Sequence, residues 1–139
     1  MLFGKHEHNL DAKGRVFVPA KIKEHLSDTF IMTKSVDPCI SVYSMEMWEK
    51  YVEKLSALPA MKARGIQRFI FASAVEASAD SQGRVLIPQS LREYAGLEKE
   101  VIIIGNNDHA EIWNSVKYAE VAENQDPDEM ANALMELGF

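Results

Sequence analysis

The residues with the clearest chemical signature form a short motif that the chain contains twice. DAKGR starts at Asp11, and DSQGR starts at Asp80. In such a motif the aspartate can accept hydrogen bonds from the backbone just downstream, and the glycine supplies the left-handed backbone angle of a tight turn. The final arginine carries a rigid fork of N–H donors and no acceptor. The chemistry open to these residues is therefore ion pairing and hydrogen-bond donation from two stiff turns.

The plain structural interpretation of each motif is a salt bridge between aspartate and arginine that only holds the turn. A surface ion pair stabilises a fold by about 0–1 kcal/mol, so stability alone would hardly favour the same pair twice. The two copies also differ in the middle of the turn, where Lys13 corresponds to Gln82. Lysine adds a positive charge, whereas glutamine adds only hydrogen-bonding groups. The two turns are therefore not equivalent.

The two motifs belong to a longer internal repeat. LDAKGRVFVPAKIKEHL (10–26) aligns with ADSQGRVLIPQSLREYA (79–95) at an offset of 69 residues. After one extra residue near Gly96, the alignment continues at an offset of 70 and pairs CISVYS (39–44) with HAEIWN (109–114). Shared identities and spacing over so long a stretch indicate a duplicated structural unit.

Each copy is predicted to contain a strand, a turn, a second strand, a short helix and a β-hairpin. RVFVP and RVLIP are typical of short strands, and Pro19 and Pro88 suit the start of a helix. Gly96 is predicted to end the second of these helices. Between the copies, the apolar spacing in MEMWEKYVEKLSAL predicts one helix, Pro59 ends it, and a second helix follows over roughly 61–71.

A module of about 45 residues buries too little surface to be stable alone. Two modules that interleave their strands into a single barrel would solve this problem, which predicts one pseudo-symmetric α+β domain with peripheral helices. We divide the chain into a first repeat at 5–50, connecting helices at 51–75, a second repeat at 76–119 and an acidic C-terminal tail at 120–139. The tail is expected to form a weak amphipathic helix or to be disordered.

The net charge of −6 looks wrong for a nucleic-acid-binding protein, because phosphate contacts need lysine and arginine. Its distribution changes this conclusion. Residues 120–139 contain six acidic and no basic residues, so residues 1–119 are neutral. Within them, residues 1–25 carry a local charge of +2 and residues 76–99 a local charge of −1. The first repeat is therefore expected to supply most of the attraction to phosphate.

Several kinds of protein and site are disfavoured. No apolar run is long enough to cross a membrane, and the start of the chain lacks the apolar region of a secretory signal. Cys39 is the only cysteine, which fits a reducing compartment, so we expect a cytoplasmic protein. His6-Glu7-His8 is a poor match to a helical metal motif. With no phosphate-binding glycine loop and no cluster of nucleophile, acid and base, we expect no metal, cofactor, small-molecule substrate or enzymatic activity.

The paired motifs LDAKGRVFVP and ADSQGRVLIP, with RFIFASA before the second and GNNDHAEIWN after it, resemble the MraZ family over roughly residues 1–119. This is a family of bacterial transcriptional regulators in the SpoVT-AbrB superfamily. The resemblance implies a swapped-hairpin (AbrB-like) β-barrel of the double-psi type. It also implies a nucleoid-associated, ring-shaped homo-oligomer that represses its own promoter and the division and cell-wall gene cluster. The implied DNA site is a set of short, tandem G-rich direct repeats in double-stranded DNA.

The resemblance also assigns roles to the residues of the two turns. The residues that would contact DNA are Lys13, Arg15, Gln82 and Arg84. The residues that would shape the turns are Asp11, Gly14, Asp80 and Gly83. The chemistry agrees, because a guanidinium fork matches the N7 and O6 acceptors of guanine, and such a contact discriminates by about 1–3 kcal/mol.

Two other functions stay open. The same barrel could serve as a protein-interaction or antitoxin-like module, and the charge on its turns would then be incidental. RNA binding is a weaker alternative, because no aromatic pair is placed for base stacking. Duplex binding with a steep dependence on salt would separate DNA binding from protein interaction.

Overall fold

The computed structural model describes residues 1–139, which form eight strands and six helices. The first repeat contains β1 (Lys5–Asn9), β2 (Arg15–Phe17), α1 (Ala20–Leu26), β3 (Phe30–Lys34) and β4 (Ile40–Ser44). The connection contains α2 (Met45–Ser56) and α3 (Ala60–Phe71). The second repeat contains β5 (Val75–Ala77), β6 (Arg84–Leu86), α4 (Gln89–Ala95), β7 (Glu100–Asn106) and β8 (His109–Asn114). The chain ends with α5 (Ser115–Glu123) and α6 (Pro127–Glu136).

The predicted order of strand, turn, strand, helix and hairpin is confirmed in both repeats. Pro19 and Pro88 each lie directly before a helix, and Gly96 ends α4 with a φ of +62°. Pro59 separates the two connecting helices, as predicted. The tail adopts the first of its two expected states: α6 is helical, but none of its residues is buried.

Strands from the two repeats interleave in one six-stranded antiparallel sheet with the order β1-β7-β8-β4-β3-β5. β1 pairs with β7 of the other repeat, β5 pairs with β3, and the two hairpins join along β4 and β8. β2 and β6 form a separate two-stranded ribbon. Every pairing outside the two hairpins therefore links one repeat to the other, and neither repeat could build this structure alone.

The register makes the symmetry of the repeat visible. Val16 of β2 lies opposite Val85 of β6, and Ser41 of β4 lies opposite Glu111 of β8. In the sequence alignment, each of these residues is the equivalent of its partner. Equivalent residues face each other across antiparallel strands only when the two strands are related by a twofold rotation between them. The internal repeat is therefore an approximate twofold symmetry within a mixed α and β structure, and closure of its strands into a swapped-hairpin barrel stays a prediction.

Equivalent apolar residues of both repeats share one core beneath the ribbon. The members that are at most 2 % exposed and occur as equivalent pairs are Val16 and Val85, Ile22 and Leu91, Leu26 and Ala95, and Ile40 and Ala110. β7 is buried on both faces, because Val101, Ile102 and Ile103 are all buried. Burying a large aliphatic side chain contributes about 1.5–3 kcal/mol. The core thus fixes the ribbon and helices α1 and α4 as one unit.

Cys39, which lies in a second buried cluster with Ile102 and Trp113, gives a direct test of the packing. The residue is fully buried, and burial, together with the nearby charge of Glu111, raises the pKa of its thiol to about 12. Because the thiolate is the reactive form, we expect a thiol reagent at pH 8 to label the native protein far more slowly than the protein unfolded in guanidinium. Mass spectrometry measures the rate of labelling. Rapid stoichiometric labelling of the native protein would contradict the burial of Cys39.

Candidate nucleic-acid interface

Asp11 organises the first turn through both oxygens of its carboxylate. Its Oδ1 accepts hydrogen bonds from the backbone N–H groups of Lys13 and Arg15, each at 2.9 Å. Its Oδ2 accepts a hydrogen bond from Nε of Arg15 at 2.7 Å. The N–H of Gly14 donates to the Asp11 carbonyl at 3.0 Å, which closes the turn. The aspartate thus holds the backbone and the arginine together.

The second turn makes the same set of bonds. Oδ1 of Asp80 accepts from the backbone N–H groups of Gln82 and Arg84, each at 2.9 Å, and Oδ2 accepts from Nε of Arg84 at 2.9 Å. Gly83 has a φ of +81°, and its equivalent Gly14 has a φ of +82°. Glycine reaches this left-handed region without the steric cost that a Cβ atom brings. Two equivalent turns of one geometry are therefore present.

The hydrogen bonds of the turns stabilise the charged form of each aspartate. The backbone N–H of Arg15 is the main cause that lowers the pKa of Asp11, and the Arg15 guanidinium lowers it further. Arg84 lowers the pKa of Asp80 in the same way. Each carboxylate engages Nε of its arginine, and the terminal Nη groups make no hydrogen bond to the protein. Each arginine therefore presents its two Nη groups as donors to a partner.

The ribbon brings the two arginines to one face. The register places Arg15 opposite Leu86 and Phe17 opposite Arg84, with the buried pair of valines between them. Because side chains alternate along a strand, these four residues all point away from the core, and we call this surface the ribbon face. Phe17 is 51 % exposed and Leu86 57 % exposed. The arginines occupy diagonal positions, whose backbones are about 7–8 Å apart in such a pair.

Lys13 and Gln82 occupy the middle of the two turns. Both residues are exposed, and neither takes part in an ion pair or donates a side-chain hydrogen bond. Because β2 and β6 are antiparallel, the two turns lie at opposite ends of the ribbon. The structure therefore brings the predicted contact residues to one ribbon and the two turns that begin its strands.

Two cations that the sequence analysis left out of the site lie against the turns. A Cβ atom placed on Gly14 would lie 2.6 Å from Cζ of Arg92, and one placed on Gly83 would lie 3.9 Å from Nζ of Lys23. Arg92 belongs to α4 and Lys23 to α1, so each lies beside the turn of the other repeat. The alignment at an offset of 69 pairs these two residues. That pairing was the signal that could have found them.

This arrangement can donate hydrogen bonds and attract anions. The side chains of the two aspartates are engaged in the turns, and no group of three or more His, Cys, Asp or Glu side chains is placed to hold a metal ion.

None of the helices combines the length and the hydropathy needed to span a membrane.

The two turn glycines allow a matched stability experiment. Gly14→Ala and Gly83→Ala should each destabilise the protein by about 1–2 kcal/mol, because an alanine at φ near +80° meets the same backbone strain in both turns. At Gly14 the added methyl group must also displace the end of the Arg92 side chain. Urea denaturation measures both losses.

Gly65→Ala is the control for these glycine substitutions. Gly65 lies within α3 with open space around it, so alanine there should stabilise the protein by up to about 1 kcal/mol. If the turn variants matched Gly65→Ala in stability, the left-handed geometry of the turns would be wrong.

Comparisons with known proteins agree with this architecture. A family model described as "MraZ protein, putative antitoxin-like" matches residues 1–69 and again residues 70–135. A protein named "Transcriptional regulator MraZ" from Thermoanaerobacter pseudethanolicus is 48 % identical over all of both chains. Its namesakes from Thermoanaerobacter sp. strain X514 and Acetivibrio thermocellus are 47 % and 44 % identical, again over all of both chains.

A solution structure of a Pyrococcus horikoshii protein covers 81 % of this chain and 88 % of its own at 14 % identity, but its TM-score of 0.33 is too low to support an argument. The family matches are of a different quality, because they span both repeats and the relatives align from end to end. The chain therefore belongs to the MraZ family.

Proposed function

We propose that this chain is a sequence-specific, DNA-binding transcriptional regulator whose ribbon face and turns bind the major groove. The observation that carries the proposal is the pair of arginines held by identical aspartate turns on one outward face. A two-stranded ribbon has the dimensions to enter the major groove of B-DNA, which is about 12 Å wide. The relatives are named transcriptional regulators, which supports the same role.

The free Nη groups of the two arginines favour guanine as the base that the protein recognises. Each aspartate occupies Nε, so the two Nη groups of Arg15 and Arg84 are free to bond N7 and O6 of one guanine. The same bonds limit the rotamers of each arginine before DNA arrives, which lowers the entropic cost of binding. Sites rich in guanine therefore suit this face, and the family resemblance implies that they occur as short direct repeats.

The two turns contribute unequally. Lys13 adds a charge beside Arg15, whereas Gln82 adds none beside Arg84. Charged contacts to phosphate position a protein on the duplex, and base contacts specify the sequence. The acidic residues that make the net charge negative lie in the C-terminal 20 residues, outside both turns. The first turn is thus the stronger electrostatic anchor.

The finer parts of the proposal come from the family resemblance. They are a swapped-hairpin barrel, a ring-shaped homo-oligomer in the cytoplasm that associates with the nucleoid, and repression of its own promoter and of the division and cell-wall gene cluster. One ribbon face offers few phosphate contacts, so several faces on one assembly would gain affinity through effective concentration. The proposed activity is binding without catalysis, since the candidate site consists of donors and engaged carboxylates.

An antitoxin-like, protein-binding role is the second candidate function. The description of the matching family model includes that term. The ribbon face also exposes the apolar side chains of Phe17 and Leu86, which a protein partner could cover. A titration with a duplex from the upstream region of its own gene separates the two functions. DNA binding predicts an affinity that falls steeply with salt, and a purely protein-binding module predicts no retention of the duplex.

Substitutions in the two turns test the inequality between them. We expect Lys13→Ala and Arg15→Ala to weaken binding to the promoter duplex more than Arg84→Ala does, because only the first turn carries a lysine, Lys13, within its motif, where the second turn has Gln82. Each lost base contact should cost about 1–3 kcal/mol. Gel-shift titrations at one salt concentration measure the affinities, and Lys54→Ala on α2 serves as a control for loss of a surface charge. Equal losses for Arg15→Ala and Arg84→Ala would contradict the unequal roles.

Duplexes with different numbers of G-rich repeats test the role of assembly. The wild-type protein should bind a duplex with several tandem repeats about 100-fold or more tightly than a duplex of equal length with one repeat, because the later contacts are intramolecular. Fluorescence anisotropy at fixed salt measures both affinities. Similar affinities for the two duplexes would show that each face binds independently.

A further inference from the structure

We propose that Arg92 and Lys23 contact the DNA backbone, and that each repeat places its cation beside the DNA-binding turn of the other repeat. Arg92 of the second repeat would bind a phosphate beside the turn that contains Arg15, and Lys23 of the first repeat would bind a phosphate beside the turn that contains Arg84. The proposal rests on the proposed function and names residues outside the two motifs.

The position of Arg92 is the first observation. Its guanidinium lies against the backbone of Gly14, where a Cβ atom would come within 2.6 Å of Cζ. Gly14 is buried beneath it, whereas the equivalent Gly83 is only half-buried. Residue Leu91, next to Arg92 on α4, is fully buried in the core, so the helix that carries the guanidinium is fixed. Arg92 is therefore a built part of the first turn.

The second observation is that Arg92 has no counterion. Arg15 and Arg84 are each paired with an aspartate, but neither Arg92 nor Lys23 belongs to any of the ion pairs of the structure. The neighbouring carboxylate of Glu93 accepts a hydrogen bond from Gln89 at 3.0 Å instead. Arg92 and Lys23 lie next to the binding turns but pair with no carboxylate. Their positive charge is therefore available to a ligand.

One nitrogen of the Arg92 guanidinium has no hydrogen-bond partner. Its Nε is buried and donates to no acceptor in the protein. Buried polar atoms in proteins are normally hydrogen-bonded, and the exceptions often mark a functional role. A guanidinium binds phosphate oxygens through charge-assisted hydrogen bonds that are stronger than those between neutral groups. Nε itself is closed to solvent, so a phosphate at the first turn would bond the terminal Nη groups of Arg92.

The twofold symmetry of the fold explains why the contacts are crossed. The exchange of strands brings α4 to the first turn and α1 to the second, so equivalent residues reach equivalent places. The turns lie at the two ends of the ribbon face, with the base-reading arginines between them. Phosphates line both edges of the groove that the ribbon would enter. The cations at both ends of the ribbon would thus face the DNA phosphates, while the arginines between them would face the bases.

The two cations are expected to differ in strength. Arg92 is half-buried and its guanidinium is planar, so it loses little freedom on binding and can bond two phosphate oxygens. Lys23 is exposed and flexible, and its ammonium acts as a point charge. Arg92 is therefore the main backbone contact of the pair.

The test measures affinity against salt for two duplexes, the promoter duplex and a scrambled duplex of the same length, with the full chain. Arg92→Ala should weaken binding to both duplexes by a similar factor of about tenfold and lower the slope of log K against log salt by about one for each bound subunit. Lys23→Ala should give a smaller uniform loss, and Arg92→Lys should keep the wild-type slope. Arg15→Ala, in contrast, should mainly remove the preference for the promoter duplex.

A wild-type salt slope in Arg92→Ala, or a loss confined to the promoter duplex, would overturn the proposal. If Arg15→Ala is impaired in that experiment, the proposed function still holds and only the role of Arg92 fails. Failure of the wild-type protein to bind either duplex would instead overturn both. Thermal denaturation checks that each variant is folded, and Arg92→Gln, which keeps a longer, polar side chain than alanine without the charge, replaces Arg92→Ala if that variant does not fold.

Discussion

Pairing between the two repeats is the constraint on which the rest of the structure depends. β2 has three residues and its main partner is β6, so the ribbon exists only when both repeats are folded together. Its inner side, Val16 and Val85, is sealed into a core that both repeats share. Its outer side then carries one arginine from each repeat at symmetric positions. The site is therefore a product of the duplication and cannot be divided between two independent modules.

The distribution of charge adds to the geometry that strand pairing gives to the two turns. Each turn places a carboxylate and a guanidinium in contact, which cancels part of the charge but fixes the direction of the arginine. Uncompensated charge comes from Lys13, Lys23 and Arg92 around the turns. The six acidic residues that account for the net charge lie in α5, α6 and the segment between them. A protein with a net charge of −6 can thus present a positive surface to an anionic partner.

Local features were the predictable part of this molecule. The glycine and proline positions, the apolar spacing of α2 and α3 and the repeat itself predicted the turns, the helices and the order of elements. The pairing of β1 with β7 and of β3 with β5 was not predictable, because contacts between distant strands depend on the packing of the whole domain. Arg92 was missed for the same reason: its neighbour Gly14 is 78 residues away in the chain.

The central claim is that the ribbon face and its two turns form the DNA-binding surface. Hydrogen–deuterium exchange, measured by mass spectrometry with and without a G-rich promoter duplex, tests it directly. The account predicts slower exchange on DNA binding in peptides that cover residues 11–17 and 80–86, with no change in α2. Protection of α2, α3 or α6 with unchanged exchange in both turns would contradict it.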